Sequence, residues 1–259
     1  MRVESETVFA CVATGPLYGL ADQYINAMYR MLSKHYKRPF QLRCYTDRRR
    51  EVDERIRQMD CSSWLEFQQD GTHPTDYKIG LFNPVYADCE ELIYLDLSLV
   101  IQRNLTPLVD FASGCSQGLV VVQDWFYDGY NSSVMRIRPR DMKYVYDDYL
   151  AGIKYPMQIA GDQDYIYGST RARGAAVALF PSEHVDSFKR LMRLGLHDFV
   201  AARQCAAQAL IVKFHGRPKM HVLFSFGYVF FKYRVRYWLH GHWTLPVDVK
   251  RLRMAWLRK

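Results

Sequence analysis

The segment Ile93-Tyr94-Leu95-Asp96-Leu97-Ser98-Leu99-Val100 sets a carboxylate at the end of an apolar run and a hydroxyl two residues later. Side chains alternate along a strand, so Asp96 and Ser98 fall on one face. A carboxylate so placed can hold a divalent cation that also grips phosphate oxygens; it can equally cap a turn. Farther along, His215-Gly216 precedes Lys219. These supply an imidazole able to ligate a metal, a residue that lets backbone approach a phosphate closely, and a cation. The alternatives are a loop histidine and a solvated lysine. Asp162, followed by Gln163, precedes a possible helix and suits its N-cap. Asn131 and Ser132 suit a hydroxyl-rich ligand or a turn between strands.

These side chains need elements to aim them. Val8–Thr14 is a short apolar run ending at Gly15-Pro16, which reads as a buried strand and loop. Asp22 is a candidate N-cap for a helix to about His35, with Ile25, Met28 and Leu32 on its apolar face. Pro39–Tyr45, Leu92–Leu95 and Leu119–Gln123 read as further strands, and the charged stretch Arg48–Gln58 as a solvated helix. Strands alternating with helices predict an α/β fold with a mostly parallel central sheet. Ligands of such sheets lie beyond the strands' carboxyl ends, which points to Thr14, Asp47, Asp96 and Asp124.

The chain has 259 residues, 49% hydrophobic and 24% charged, which excludes disordered, collagen-like and coiled-coil classes. Its net charge is +8, and residues 221–259 hold eight Lys/Arg against one acid, Asp248. The rest is therefore nearly neutral, and the basic end is the part suited to a polyanionic surface. Within it, Val249, Leu252 and Trp256 fall on one helical face among cations. That pattern fits a helix lying on an anionic membrane, or a helix packed on the core with its cations reaching to water. Upstream, residues 230–238 interleave aromatic side chains with Lys232, Arg234 and Arg236. Without a recognised nucleic-acid motif, DNA or RNA is not an expected partner. Six irregularly spaced cysteines without a CxxC pair predict reduced thiols and a cytoplasmic setting. Glu4 and Glu6 precede only a short apolar run, unlike a secretory signal.

Several segments, taken in order, resemble the nucleotide-sugar-dependent glycosyltransferases of GT-A fold, in particular the family-8-like group and related bacterial polysaccharide enzymes. Phe9–Tyr18 resembles the first strand and nucleotide loop, and Tyr77–Phe82 the basic segment before the DxD region. Ile93–Val100 resembles that DxD region itself. Asn131–Met135, Gly161–Asp164 and Phe214–Lys219 resemble three later motifs. The likeness runs over residues 8–221 and implies a single GT-A (Rossmann-like) domain over 1–220 with a basic C-terminal helical segment over 221–259.

The resemblance implies transfer of a sugar from a nucleoside-diphosphate sugar, a UDP-sugar, to a glycan or lipid-linked acceptor. The reaction would retain anomeric configuration and serve polysaccharide or glycolipid synthesis on the cytoplasmic face of a membrane. It implies Asp96 and His215 as ligands of Mn2+ or Mg2+. Thr14, Tyr18, Asp47, Lys78, Asp96, Gly216 and Lys219 would line the nucleotide. Asn131, Ser132, Asp162 and Gln163 would line the sugar, the last two beside the anomeric carbon. One residue departs from the pattern: Ser98 stands where the family has a second Asp. Weakened metal affinity, a metal held by Asp96, His215 and phosphates alone, and lost catalysis all follow equally from that change. A catalytically impaired relative that binds nucleotide sugar or glycan is accordingly the alternative function.

Overall fold

The computed structural model describes residues 6–15, 17–69, 74–158, 161–224 and 226–257, apart from the side chains of Tyr18, Phe226, Tyr228 and Phe230. In chain order the elements are β1 (Thr7–Ala13), α1 (Ala21–His35), β2 (Phe40–Thr46), β3 (Arg57–Asp60), a 3-10 helix (Asp76–Phe82) and α2 (Pro84–Ala87). There follow β4 (Leu92–Leu95), β5 (Leu99–Ile101), α3 (Thr106–Gly114), β6 (Leu119–Gln123), β7 (Tyr130–Ile137), α4 (Pro139–Leu150) and α5 (Asp162–Ala172). The rest is β8 (Ala178–Leu179), β9 (Val185–Ser187), α6 (Phe188–Leu194), α7 (Phe199–Gln208), β10 (Ile211–Lys213), α8 (Met220–Leu223), α9 (Phe226–Val229), a π-helix (Phe230–Arg234), α10 (Val235–Leu239) and α11 (Val249–Leu257). The chain forms two compact units. One comprises Met1–Asn26, Arg38–Leu97 and Val109–Phe180, the other Ala27–Lys37, Ser98–Leu108 and Pro181–Lys259.

The first unit is built on a seven-stranded sheet in the order β3-β2-β1-β4-β7-β6-β8. Only β7 runs against its neighbours β4 and β6; the remaining pairings are parallel. Sheets of this kind are covered on both faces, and β4 (LIYL) is accordingly buried along its whole length. The expected α/β fold with a mostly parallel sheet is thus observed. The reversed β7 matters for position. Its amino end, Tyr130–Ser133, lies at the same sheet edge as the carboxyl end of β4, and Asp96 N donates to Ser133 O at 2.8 Å. Under the sheet, Trp64 stacks on Tyr86 with ring centroids 4.4 Å apart. Arg136, fully buried in β7, donates to the carbonyls of Ala112, Cys115 and Gln117 at and beyond the end of α3, so one cation satisfies a helix C-terminus.

The second unit has a three-stranded sheet, β5-β10-β9, with β10 antiparallel to β5 and parallel to β9. Phe188 stacks on Phe214 at 4.9 Å. Gln102 donates to the carbonyls of Ala206 and Ala209 at the end of α7.

Three local expectations change. Arg48–Gln58 is an extended loop leading into β3, not a helix. Side chains take its backbone donors, Gln58 Oε1 that of Arg50 and Asn26 Oδ1 that of Asp53, and Arg50 is pulled inward onto the carbonyls of Ala13 and Gly15. Asp22 lies inside the first turn of α1, where its carboxylate accepts from Glu51 N. The apolar face of α11 is not available to a lipid surface. Leu252 and Trp256 are buried, Trp256 packs on Phe224, and Arg30 donates to Trp256 O. The packed-helix alternative describes α11. Met254 and Leu257 on α11 are exposed, and the more exposed apolar groups of this region lie earlier, at Phe231, Trp238, Leu239 and Trp243. No helix among the described residues is long and apolar enough to cross a membrane, and all six cysteines are free thiols.

Trp256→Ala therefore leaves a cavity in the second unit. It is expected to lower unfolding stability by about 3–5 kcal/mol, read from urea denaturation without lipid; an unchanged midpoint would mean that α11 does not belong to the packed unit.

Candidate functional site

At the carboxyl edge of the large sheet, the loop leaving β1 meets the end of β2. Gly15 N donates to Asp47 Oδ2 at 3.1 Å, and Asp47 also pairs with Arg48 (3.0 Å) and Arg50 (2.8 Å). Partial burial opposes ionisation of Asp47, but the Arg48 hydrogen bond, the Gly15 amide and the two cations outweigh it and hold its pKa below the ordinary value. Thr14 Oγ1 donates to Pro74 O. Arg50, read from sequence as one charge on a solvated helix, is the tie between the ends of β1 and β2. The Tyr18 side chain lies outside the described residues.

Next along this edge is a buried ionic cluster. The 3-10 helix Asp76–Phe82 carries Lys78 into the interior. Its Nζ lies 2.8 Å from Asp162 Oδ2 and 3.2 Å from Asp96 Oδ1, and it donates to Ser132 Oγ at 3.2 Å. Ser132 Oγ in turn donates to Asp162 Oδ2, and Tyr94 OH donates to Asp96 Oδ1 at 2.7 Å. Four of the expected residues, Lys78, Asp96, Ser132 and Asp162, thus come together. Burial disfavours the Lys78 ammonium, but the Asp162 and Asp96 charges more than offset it, and its pKa is raised above that of an ordinary lysine.

Two backbone features aim the cluster. The β6–β7 register shifts between Val121 and Val122, so Ser132–Val134 bulge, and a bulge of this kind turns a side chain out of the ladder. Gly161 caps α5 with φ 132°, a conformation that L side chains avoid, and delivers Asp162 into the first turn. Gln163 follows, half-buried. Asn131 is at the edge of the cluster. Its amide donates to Asp124 Oδ2 and its carbonyl oxygen accepts from Ser133 N, while Asp124 also closes a turn onto Phe126 N and Tyr127 N. Tyr94 was missed in sequence, although the strand period that aligns Asp96 with Ser98 also aligns it with Tyr94.

In the second unit, Ser98 and Lys213 meet across the antiparallel β5–β10 pair: Lys213 Nζ donates to Ser98 Oγ at 2.8 Å, and Phe214 N donates to Ser98 O at 2.9 Å. His215 Nε2 lies 3.4 Å from Ser187 Oγ. Gly216 has φ 64°, and a Cβ there would stand 3.9 Å from Lys189 Nζ. Lys219 is half-buried at the start of α8. Lys213 and Lys189 had no sequence signal of their own.

A divalent cation needs several anionic or neutral oxygen and nitrogen donors around one point. Among the described residues, no three His, Cys, Asp or Glu side chains are grouped to hold one. Asp96 already faces an ammonium, and so does Ser98. A doubly charged ion about 4 Å from either ammonium would meet a repulsion of about 8 kcal/mol at an effective dielectric of 20. The residues present do not fit a resident divalent metal.

No family model and no curated protein matches the chain. Solved structures do. It is similar to the galactosyltransferase LgtC, crystallised with donor and acceptor sugar analogues, at 16% identity and TM-score 0.58 over 91% of this chain and 95% of that one. The glycosyltransferase GlyE of Streptococcus pneumoniae aligns at 14% identity and TM-score 0.61 over 98% of this chain and 63% of its own. Mouse xyloside xylosyltransferase 1 aligns at 12% identity and TM-score 0.51 over 82% and 98%. The chain therefore has the GT-A-type glycosyltransferase fold.

Because its pKa is raised by folding, Lys78 stabilises the fold fully below the ordinary lysine pKa and loses that effect only as pH rises through the raised value. Lys78→Met removes this and leaves buried carboxylates unpaired. It is expected to cost about 3–5 kcal/mol at pH 7, read from paired urea denaturation curves of the wild type and the variant; an unchanged midpoint would contradict this.

Proposed function

We propose that the chain is a glycosyltransferase that moves a sugar from a UDP-sugar to a glycan or lipid-linked acceptor with retention of configuration. The observation that carries the reading is the Lys78–Asp96–Asp162–Ser132 cluster, which gathers the chemistry-bearing residues of separate motifs at one sheet edge in a chain with this fold. Transfer breaks the bond between the anomeric carbon and the diphosphate oxygen. The electron pair leaves on the diphosphate, and the acceptor oxygen bonds to the carbon. Asp162, oriented by Lys78 and Ser132, sets a carboxylate beside the carbon as positive charge develops, and Gln163 adds an amide oxygen. Asn131 and Ser132 face the sugar hydroxyls. Thr14, Tyr18 and Asp47 are the candidates for the nucleoside in the first unit, and Gly216 and Lys219 those for the diphosphate in the second.

A membrane setting for the acceptor is supported by the exposed apolar groups Phe231, Trp238, Leu239 and Trp243, which stand near Lys232 and Arg236 in the sequence. This combination suits an anionic lipid surface. Flotation with phosphatidylglycerol vesicles is expected to carry the protein, and a Trp238→Ala/Leu239→Ala variant or 0.5 M salt to release it. Flotation with purely zwitterionic vesicles to the same extent would remove the charge argument.

The transferase reading is tested by calorimetric titration with UDP and by turnover of a UDP-sugar panel, with the product linkage read by NMR. Asp162→Asn is expected to lower kcat by about 10²–10³ while UDP still binds. UDP binding without turnover in the wild type would favour the catalytically impaired relative, and an inverted linkage would remove retention while leaving transfer intact. No nucleoside-diphosphate binding would refute the reading.

A further inference from the structure

We propose that the Lys213 ammonium, positioned by Ser98, is the resident cation for the donor diphosphate, so that this chain binds and turns over its donor without a divalent metal. The inference rests on the transferase reading above.

The departure at Ser98 has a structural counterpart. Lys213 is the last residue of β10 and lies opposite Leu99 in the antiparallel register, with the Phe214 amide tied to the Ser98 carbonyl. That register places the Lys213 ammonium on the Ser98 hydroxyl at 2.8 Å. Lys213 is only 4% exposed, and a lysine is almost never buried so deeply unless its ammonium is paired. An aspartate at position 98 would add a negative charge against this ammonium and screen it from an anionic ligand. A serine holds the ammonium by hydrogen bonding and adds no charge. Ser98 is thus the neutral holder of a cation rather than a lost metal ligand.

The segment that follows is built to the same end. Gly216, at φ 64°, presents backbone with no side chain, and Lys189 Nζ stands beside it. Lys219 closes the segment. A nucleoside diphosphate carries two to three negative charges, which a divalent ion or a pair of ammonium groups can offset equally. When the anomeric bond breaks, its electron pair goes to the terminal phosphate oxygen, and charge accumulates there. The acceptor oxygen takes the carbon, and its proton passes to the released phosphate or to solvent. Fixed ammonium groups serve this step as electrostatic stabilisers without reorganising.

The test uses the full chain and UDP itself. Calorimetric titration in EDTA and in Mn2+ is expected to give dissociation constants within about twofold of each other, and Lys213→Met to weaken binding at least tenfold in both. Lys213→Arg is expected to keep most of the affinity, which separates a charge requirement from a packing defect. A Ser98→Asp/Lys213→His variant is expected to make UDP binding Mn2+-dependent. Wild-type binding tightened tenfold or more by Mn2+, or abolished by EDTA, would overturn the inference and leave the transferase reading standing. Unaltered affinity in a folded Lys213→Met protein would also overturn it. Absence of UDP binding under both conditions would refute the transferase reading itself.

Discussion

A single buried ammonium organises the first unit's functional edge. Lys78 has left water for a site in which Asp96, Asp162 and Ser132 are its polar neighbours. A lone buried charge would cost several kcal/mol, so each partner must be delivered accurately by a different element. The 3-10 helix brings the lysine, the end of β4 brings Asp96, the β7 bulge brings Ser132, and Gly161 starts α5 so that Asp162 arrives in its first turn. Loss of any one delivery would leave the others uncompensated. This mutual requirement holds four chain segments at one edge of the sheet, and it holds Asp162 in one orientation. An orienting shell of this kind is what a group acting on a developing charge needs.

The fold was largely legible because parallel strands buried on both faces are written as short apolar runs. The predicted strands β1, β2, β4 and β6 lie within one residue of their observed places. Legibility failed where tertiary hydrogen bonds override local preference. Arg48–Gln58 has the charged composition of an exposed helix, yet Arg50 and Asn26 draw it into a loop. The amphipathic pattern of α11 was equally ambiguous. Helical periodicity shows that Val249, Leu252 and Trp256 share a face but not what covers that face, and the structure covers it with Phe224 and the α1 residue Arg30.

The site was legible in its residue types and less so in its pairings. Asp96, Asp162, Lys78 and Ser132 were all singled out, but nothing in the spacing says that the lysine lies between the two carboxylates rather than against a ligand. Tyr94 and Arg50 carry ordinary strand and loop signals, and their roles come from long-range contacts. Lys213 is the clearest case. It is 115 residues from Ser98, and only the antiparallel register of β5 and β10 makes them neighbours. Read alone, Ser98 is a defect in a motif; read with its partner, it is half of a hydrogen-bonded pair.

That contrast bears on what distant fold similarity can carry. Identities of 12–16% leave a backbone recognisable, while the charges placed on it can change class. A divalent ion concentrates its charge at one exchangeable point and requires anionic ligands, which themselves repel a diphosphate until the ion arrives. A lysine brings its charge on the chain, requires only a neutral holder, and is present before the ligand. The cost is positional: a lysine held on the Ser98 hydroxyl stands where its strand puts it, so the backbone around it must be set in place. The Phe214–Ser98 hydrogen bond and the left-handed Gly216 supply that setting. The proposed exchange of cation at Ser98 therefore has to be a property of the whole β5–β10 strand pair and the loop that leaves it, not of one substituted side chain.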